Sequence, residues 1–309
     1  MKTQKRLVSI IMNCFNGEKY LSEALKSILD QTYQNWELIF FDNYSTDKSR
    51  EIFESFNEPR FKYFKSKNKI DLGAARLSAY EKCNGELIAF LDVDDLWFSQ
   101  KLEKQVTKFQ DKNIGLVICN TLLFNDNEEV VLYEKPPPSG YVFDHVICNY
   151  FVSLETLVIR KDFIDQLDYS FDPKYNIIHD LDLVSRLSKI SRLAYVDEIL
   201  AKWRVHEKGQ SWKNLENTNI EKRMFIENFG KNEHSNQNKL KKKFLENLNK
   251  DEVKTLLINN KRYEAIKLAI KNFQFSINNF IILLYVLSPY SDLVHKKLSR
   301  FRKLYPNSK

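Results

Sequence analysis

Three hydrophobic stretches in the first 95 residues each run straight into a polar cluster, and helix-like sequence separates them. Leu7–Met12 ends in Asn13-Cys14-Phe15-Asn16-Gly17, after which Leu21, Ala24, Leu25, Ile28 and Leu29 recur at helical spacing. Trp36–Phe41 ends in Asp42-Asn43-Tyr44-Ser45-Thr46-Asp47, followed by a polar helix and a short Phe61–Phe64 strand. Ala74–Cys83 reads as a helix, and Glu86–Leu91 as a strand ending in Asp92-Val93-Asp94-Asp95 before an aromatic helix start at Leu96-Trp97-Phe98. Strand alternating with helix predicts a parallel sheet covered on both faces. Ligands bind such sheets beyond the carboxyl ends of the strands, where all three clusters fall. Any one cluster would serve as an ordinary turn, because Asn, Asp and Ser satisfy turn backbone. Three on the same edge point to a site.

The chain has seven glycines, at 17, 73, 85, 115, 140, 209 and 230, and no two are close neighbours. A G-x-G-x-x-G fingerprint and a Walker A loop are therefore excluded. A nucleotide diphosphate would need another counter-charge. Asp92-Val93-Asp94 offers one, since carboxylates plus phosphate oxygens suit Mg²⁺ or Mn²⁺. An aspartyl-phosphate phosphatase would want a small hydroxyl residue shortly after the second acid, where Asp95-Leu96-Trp97 stands.

Beyond residue 95 the pattern is less regular. Leu116–Phe124, Val130–Tyr133 and Leu154–Arg160 look like strands, Pro136-Pro137-Pro138 marks a loop, and Leu181–Leu193 reads as a helix. From Trp212 the texture becomes Lys/Asn-rich, with the run Lys239–Lys243 and amphipathic stretches at Phe244–Leu257 and Tyr263–Ile270. The expected organisation is a catalytic domain over 1–212 and a basic helical region over 213–309. Residues 213–309 carry 20 Lys/Arg against 9 Asp/Glu, while 1–212 carry 28 against 32, so the net +7 resides in the tail. A mildly acidic body holding the organised motifs argues against nucleic acid as the partner.

Cys14, Cys83, Cys119 and Cys148 form no C-x-x-C pair and read as buried small hydrophobes. Met1–Arg6 lacks a signal-peptide pattern, and the longest apolar run, Phe280–Leu287, is short against the roughly 20 residues of a membrane span. A soluble protein of a reducing compartment is expected.

From Val8 to about Ser211 the chain resembles a family 2 glycosyltransferase, an inverting enzyme of the GT-A fold. The resemblance rests on ordered motifs: Ser9-Ile10-Ile11-Met12-Asn13-Cys14-Phe15-Asn16, Ser27-Ile28-Leu29-Asp30-Gln31-Thr32-Tyr33, Asp42–Asp47 and Gly85–Asp95. His179-Asp180-Leu181-Asp182-Leu183 and Trp203-Arg204-Val205-His206 follow. It implies a Rossmann-like, mixed but mainly parallel sheet flanked by helices, with a C-terminal helical extension.

The resemblance also implies roles. Asn13, Phe15 and Asn16 with the strand end Asp42-Asn43 would line the nucleotide pocket, and Arg76 would sit near it. Asp92, Val93 and Asp94 would be the D-x-D, with Asp94 the direct metal ligand, Asp92 beside it and His206 reaching metal or diphosphate. Asp180 would be the general base, with Asp182 and Asp95 next in line. The donor would be a nucleotide-sugar, UDP ahead of dTDP or GDP. The acceptor would be a glycan or lipid-linked glycan at the inner face of the cytoplasmic membrane.

Two departures stand out. Asn43 occupies a position where the family often has a second acid that reads uracil, and His179 replaces a Glu before the base. Independently of the resemblance, inverting transfer needs one base for the acceptor hydroxyl and charge stabilisation for the leaving diphosphate. Asp180 opens the Leu181–Leu193 helix, where the dipole alone would also favour an acid.

The tail has two readings: a basic face held at an anionic membrane through Phe273–Leu287, Tyr290, Lys296, Lys297, Arg300, Arg302 and Lys303, or a helical cap with solvated lysines. The competing functions are a nucleotidyltransferase, which lacks its glycine-rich phosphate grip here, and a non-catalytic basic scaffold.

Overall fold

The computed structural model describes residues 5–206, 209, 214–229 and 235–271. They fall into two compact units, one of residues 1–146 with 150–204, the other of 147–149 with 205–309. The stretch Phe273–Leu287 and the basic residues after it lie outside the described residues.

The first unit is built on strands β1 (Val8–Cys14), β2 (Trp36–Asp42), β3 (Phe61–Lys65) and β4 (Leu87–Phe90), with helices α1 (Leu21–Leu29), α2 (Ser49–Glu54) and α3 (Leu72–Tyr80) between them. All four strands are parallel, in the order β3-β2-β1-β4. Every residue of β1, β2 and β4 is buried, as expected of parallel strands covered on both faces. Val8, Ile10 and Met12 of β1 share a core with Leu38 and Phe40 of β2, Leu87, Ala89 and Leu91, and Leu21, Leu25 and Ile28 of α1. Each of these side chains larger than alanine contributes about 1.5–3 kcal/mol on removal from water, so this layer fixes the register of the sheet. Because successive strand residues face opposite sides, Ser9, Ile11 and Asn13 point to the other face.

The sheet continues through β5 (Leu96–Trp97), α4 (Lys101–Lys108), β6 (Ile114–Phe124), β7 (Glu129–Val131) and α5 (Phe143–Cys148). A 3₁₀ turn at Leu154–Thr156 leads into β8 (Val158–Arg160), α6 (Lys161–Ile164), α7 (His179–Ile190) and β9 (Arg192–Arg204). The sheet is mixed: β8 runs antiparallel between β4 and β6, β6 and β9 are parallel, and β5 and β7 are antiparallel additions.

Three local expectations are corrected. Leu96-Trp97 does not open a helix but pairs with Lys202 and Ala201 of β9, and the helix starts at Lys101. The Trp97 ring is buried and its Nε1–H donates to the Glu155 carbonyl at 2.8 Å, a tie that favours extended backbone there. Leu154–Arg160 is a strand only from Val158, because Thr156 N–H closes a tight turn onto the Ser153 carbonyl at 3.1 Å. The helix expected over Leu181–Leu193 ends at Ile190, and Arg192 already belongs to β9.

The second unit contains α8 (Leu215–Asn228), α9 (Ser235–Ile258) and α10 (Arg262–Lys271). Phe225 packs on Phe244 with ring centroids 5.7 Å apart, and Val253, Leu257 and Ala265 form a small core. Arg223–Glu252 at 2.6 Å and Lys222–Asp251 at 3.2 Å join α8 to α9.

Candidate active site

The loops after β1 and β2 are stitched together before any ligand is considered. Asn16 Oδ1 accepts the Thr46 N–H at 2.9 Å, Asn16 N–H donates to Ser45 Oγ at 3.0 Å, and Gly17 N–H to Ser49 Oγ at 2.9 Å. Asn16 and Tyr44 take positive φ, 55° and 71°, which Asn tolerates well and Tyr does not, so the network holds both. Asn16 is thereby a loop residue. Asp42 is wholly buried; its Oδ1 accepts the Ser45 N–H at 2.7 Å and its Oδ2 the Tyr63 hydroxyl at 2.6 Å. Burial and that bond push the Tyr63 phenol upward, so it stays a donor.

Asn43 turns its amide to the backbone of Ile70. Nδ2 donates to the Ile70 carbonyl at 2.7 Å and Oδ1 accepts the Ile70 N–H at 3.0 Å, clamping the loop after β3. The clamp sets Lys69, whose ammonium lies 3.8 Å over the ring of Phe15. Phe15 itself is 43% exposed, the largest apolar face offered by the β1 loop.

On the opposite face of β1 the orphaned groups gather. Asn13 is buried, and neither amide atom has a partner. Arg76, one turn into α3, is only 2% exposed; Nη2 donates to Asp92 Oδ1 at 2.9 Å while its buried Nε–H has no acceptor. Buried polar groups without partners cost about 1–3 kcal/mol each, so such a cluster marks a place built for a ligand. Gly73 makes the approach of α3 close: a Cβ there would stand 2.2 Å from the Tyr175 carbonyl oxygen.

The acidic turn after β4 is held from behind. The Arg204 backbone N–H donates to Asp95 Oδ1 and its Nε–H to the Asp94 carbonyl, both at 2.9 Å, and Nη2 reaches Glu23 of α1 at 2.8 Å. Val93 packs toward the β1 loop, its Cγ2 3.0 Å from where a Cβ on Gly17 would lie. Asp95 and Glu155 are buried behind the turn, and burial holds both carboxyls above their usual range. Asp92, though its side chain is partly open to solvent, is raised as well, by desolvation within the cleft first and by Asp94, against the pull of Arg76. Among the described residues no three His, Cys, Asp or Glu side chains form a ready metal cage. Two carboxylates completed by diphosphate oxygens are the donor set that Mg²⁺ or Mn²⁺ accepts, so the residues fit such an ion.

Asp180 stands in the first turn of α7. Its Oδ2 accepts the Tyr150 hydroxyl at 2.9 Å. Burial raises its carboxyl, while Tyr150 and the positive charge of Arg76 pull it down. His179 is buried beside it, and burial together with Arg76 keeps the imidazole well below its ordinary range, hence neutral. Asp182 is taken up by Arg186, whose Nη2 donates to Oδ2 at 2.6 Å and also to the Ser170 carbonyl. Asp182 is thus engaged by Arg186, and Asp95 is buried behind the acidic turn. His206 follows β9 in the second unit, where its carbonyl accepts the Gly209 N–H at 3.1 Å. Tyr150, Glu155 and the Arg204 staple were not singled out from sequence; only the Trp203–His206 motif hinted at the last.

A sequence model described as glycosyl transferase family 2 matches residues 9–149. An Escherichia coli relative, the UDP-Glc:alpha-D-GlcNAc-diphosphoundecaprenol beta-1,3-glucosyltransferase WfgD, is 32% identical over 165 residues. Residues 9–149 are thus similar to glycosyl transferase family 2. The WfgD alignment spans 53% of this chain and 64% of the relative's own length. Among solved structures, S. aureus TarS 1-349 in complex with UDP-GlcNAc superposes with TM-score 0.64 at 16% identity, over 91% of this chain and 79% of that one. The Pyrobaculum calidifontis mannosyltransferase PcManGT, in complex with GDP-Man and Mn²⁺, superposes with TM-score 0.65 at 15% identity, over 97% and 83%. These likenesses establish the GT-A fold. The family 2 segment holds Asn13, Phe15, Asp42, Arg76 and the D-x-D; Tyr150, Asp180 and His206 lie beyond it.

Proposed function

We propose that the chain is a metal-dependent, inverting glycosyltransferase that moves a sugar from a nucleotide-diphospho-sugar to an acceptor hydroxyl. The observation that carries this is the placement of Arg76, bonded to Asp92 at 2.9 Å and electrostatically felt by Asp180. One buried cation thus lies between the acidic turn and a separate carboxylate, the two poles that an in-line displacement needs.

Asp92 and Asp94 would hold Mg²⁺ or Mn²⁺ against the donor diphosphate. The ion, when bound, would neutralise charge developing on the leaving group. The Asn13 amide, buried and unpartnered, is suited to the ribose or base, and the exposed Phe15 ring offers a stacking surface. Asp42 and Asn43 act from behind by fixing the two loops, and a uridine donor is the leading reading. Asp180 takes the acceptor proton, helped by a carboxyl whose proton affinity burial has raised. His206 is retained as a candidate for the metal or diphosphate.

WfgD, by its name, uses UDP-Glc and a diphosphoundecaprenol-linked acceptor. That supports a lipid-linked or cell-surface glycan intermediate as acceptor. No helix among the described residues is long and apolar enough to cross a membrane. Peripheral contact through 213–309 at the inner face of the cytoplasmic membrane is therefore the route proposed to such an acceptor.

The test is Asp180→Asn assayed with a panel of nucleotide-sugars and Mn²⁺, following donor turnover and donor affinity separately. Turnover should fall by roughly 10²–10⁴, the scale of a positioned general base, with affinity retained. Turnover near wild type would move the base elsewhere; lost affinity would make Asp180 a pocket residue.

A further inference from the structure

Asp180 and Tyr150 meet across 30 residues of sequence, from two different parts of the first unit. Tyr150 lies in the segment that leads to the 3₁₀ turn at Leu154–Thr156, whereas Asp180 is on α7. The phenol donates to Oδ2 at 2.9 Å, and no other side chain bonds the carboxylate among the described residues. Oδ1 is the oxygen left to an incoming hydroxyl.

We infer that Tyr150 is a positioning residue for the base: its hydroxyl clamps Oδ2 of Asp180 and so fixes the carboxylate plane with Oδ1 toward the acceptor. The inference rests on reading Asp180 as the base. A carboxylate on a helix end can swing about its terminal torsion, which is broad and two-fold, so one strong donor selects one orientation. Charge-assisted hydrogen bonds of this kind are roughly twice as strong as neutral ones. Burial and the neighbouring Asp180 push the Tyr150 phenol well above its ordinary range, so it remains a donor wherever the enzyme works. The other groups that act on Asp180 are Arg76 of α3 and the backbone N–H groups of Leu181 and of Asp180 itself. None of these supplies a second side-chain bond to the carboxylate. Among the described residues Tyr150 is therefore the side chain that sets its orientation, as distinct from its charge.

The clamp also has a cost and a purpose that can be separated by experiment. By holding the ionised form, Tyr150 lowers the basicity of Asp180, against the upward push of burial. A purely packing tyrosine would leave that titration alone. Removing the hydroxyl should accordingly raise the midpoint of Asp180 while loosening its orientation.

The experiment follows the Asp180 carboxyl by ¹³C NMR of the full chain labelled at aspartate Cγ, assigned by difference with Asp180→Asn. Tyr150→Phe keeps the ring and removes the O–H; its Asp180 midpoint should rise by about one unit, which is a tenfold change in proton affinity. Replacement of Tyr150 by 3-fluorotyrosine, a stronger donor of the same size, should move it the other way. Turnover of UDP-glucose with Mn²⁺, to water or to a synthetic N-acetylglucosaminyl-diphospho-lipid, should drop roughly tenfold in Tyr150→Phe without change in donor affinity. In an Asp180→Asn background the same substitution should add less than a twofold loss. Midpoints unmoved in both Tyr150 variants would overturn the clamp, even if Asp180→Asn is inactive. A shifted midpoint with Asp180→Asn fully active would instead sink the base assignment on which it rests.

Discussion

The Arg76 guanidinium donates from Nη2 to Asp92 Oδ1 at 2.9 Å, tying the middle of α3 to the acidic turn after β4. Arg76 is nearly fully buried, while the Asp92 side chain keeps 41% of its surface exposed. The pair is thus open on the carboxylate side and closed on the guanidinium side. On the closed side the guanidinium Nε–H is buried without an acceptor.

Arg76→Lys tests that placement. A lysine ammonium cannot reproduce the planar fork, so the bond to Asp92 and the field at Asp180 should both weaken. We expect a loss of about 1–3 kcal/mol in urea unfolding and a donor affinity at least tenfold lower by calorimetry. Unchanged affinity would place Arg76 in a structural role alone.

Gly73→Ala should act on the same helix from its other end. The added Cβ would meet the Tyr175 carbonyl at 2.2 Å and the Asp172 carbonyl at 3.1 Å, both backbone atoms. Either α3 or the segment before α7 must move. The expected cost is about 1–3 kcal/mol, as for other overpacking changes, with donor binding weakened because Arg76 rides on the displaced helix. A thermal shift within a degree of wild type would show that the two backbones separate freely.

His179 gives a pH signature. Its folded value is depressed below the ordinary 6.5 by burial first and Arg76 second, with the Asn176 carbonyl opposing. The unfolded chain therefore binds a proton that the folded chain refuses, in the window below pH 6.5. Stability should fall there by up to about 1.4 kcal/mol per pH unit until the folded value is reached. His179→Gln should flatten the slope of melting temperature between pH 6.5 and 5.5. An unaltered slope would mean that the imidazole titrates normally.

The first four strands were legible because each is a continuous apolar run ending in a polar cluster, and the register confirms their shared edge. The long β9 was not. Cys119 pairs with Val196 and Asn120 with Ile199, so Asp197 and Glu198 bulge out and interrupt the two-residue alternation. A strand whose period breaks mid-way offers no pattern to read. Site residues divide the same way. Asp42 and the D-x-D announce themselves by position at strand ends, whereas Arg76, in mid-helix, enters only through the family resemblance. Tyr150 on Asp180, Glu155 behind Asp95 and Arg204 on the Asp94 carbonyl are contacts across 30 to 110 residues, set by packing that no short motif encodes. Asn43 shows the reverse: its position was legible, but its amide is engaged by Ile70.

For the basic region the described part of the run Lys239–Lys243 lies on α9, with Lys239, Lys242 and Lys243 exposed and Leu240 and Phe244 buried. If this face docks on anionic lipid, binding of the full chain to phosphatidylserine vesicles should weaken steeply with salt, since exposed charges are screened beyond about 8 Å at physiological ionic strength. Replacing the three exposed lysines by Gln should weaken it further at low salt. Binding that ignores salt, or none at all, would favour the helical-cap reading.

Asp94→Ala tests the metal reading most directly. Asp94 sits in a turn whose backbone is fixed independently of its side chain: Arg204 holds the Asp94 carbonyl and the Asp95 carboxylate, and the Asp95 N–H bonds the Asp92 carbonyl at 3.1 Å. Loss of the carboxylate should therefore leave melting temperature within a few degrees of wild type while removing Mn²⁺-dependent donor binding. Relief of repulsion predicts a second effect. Asp94 is among the charges that raise Asp92 and Asp95, so both carboxyls should ionise at lower pH in the variant. Donor titrations with and without chelator, in wild type and variant, separate the two outcomes. Wild-type turnover in excess chelator, or Mn²⁺-dependent binding that survives in the variant, would remove the ion from the mechanism and leave Arg76 as the main counter-charge for the diphosphate.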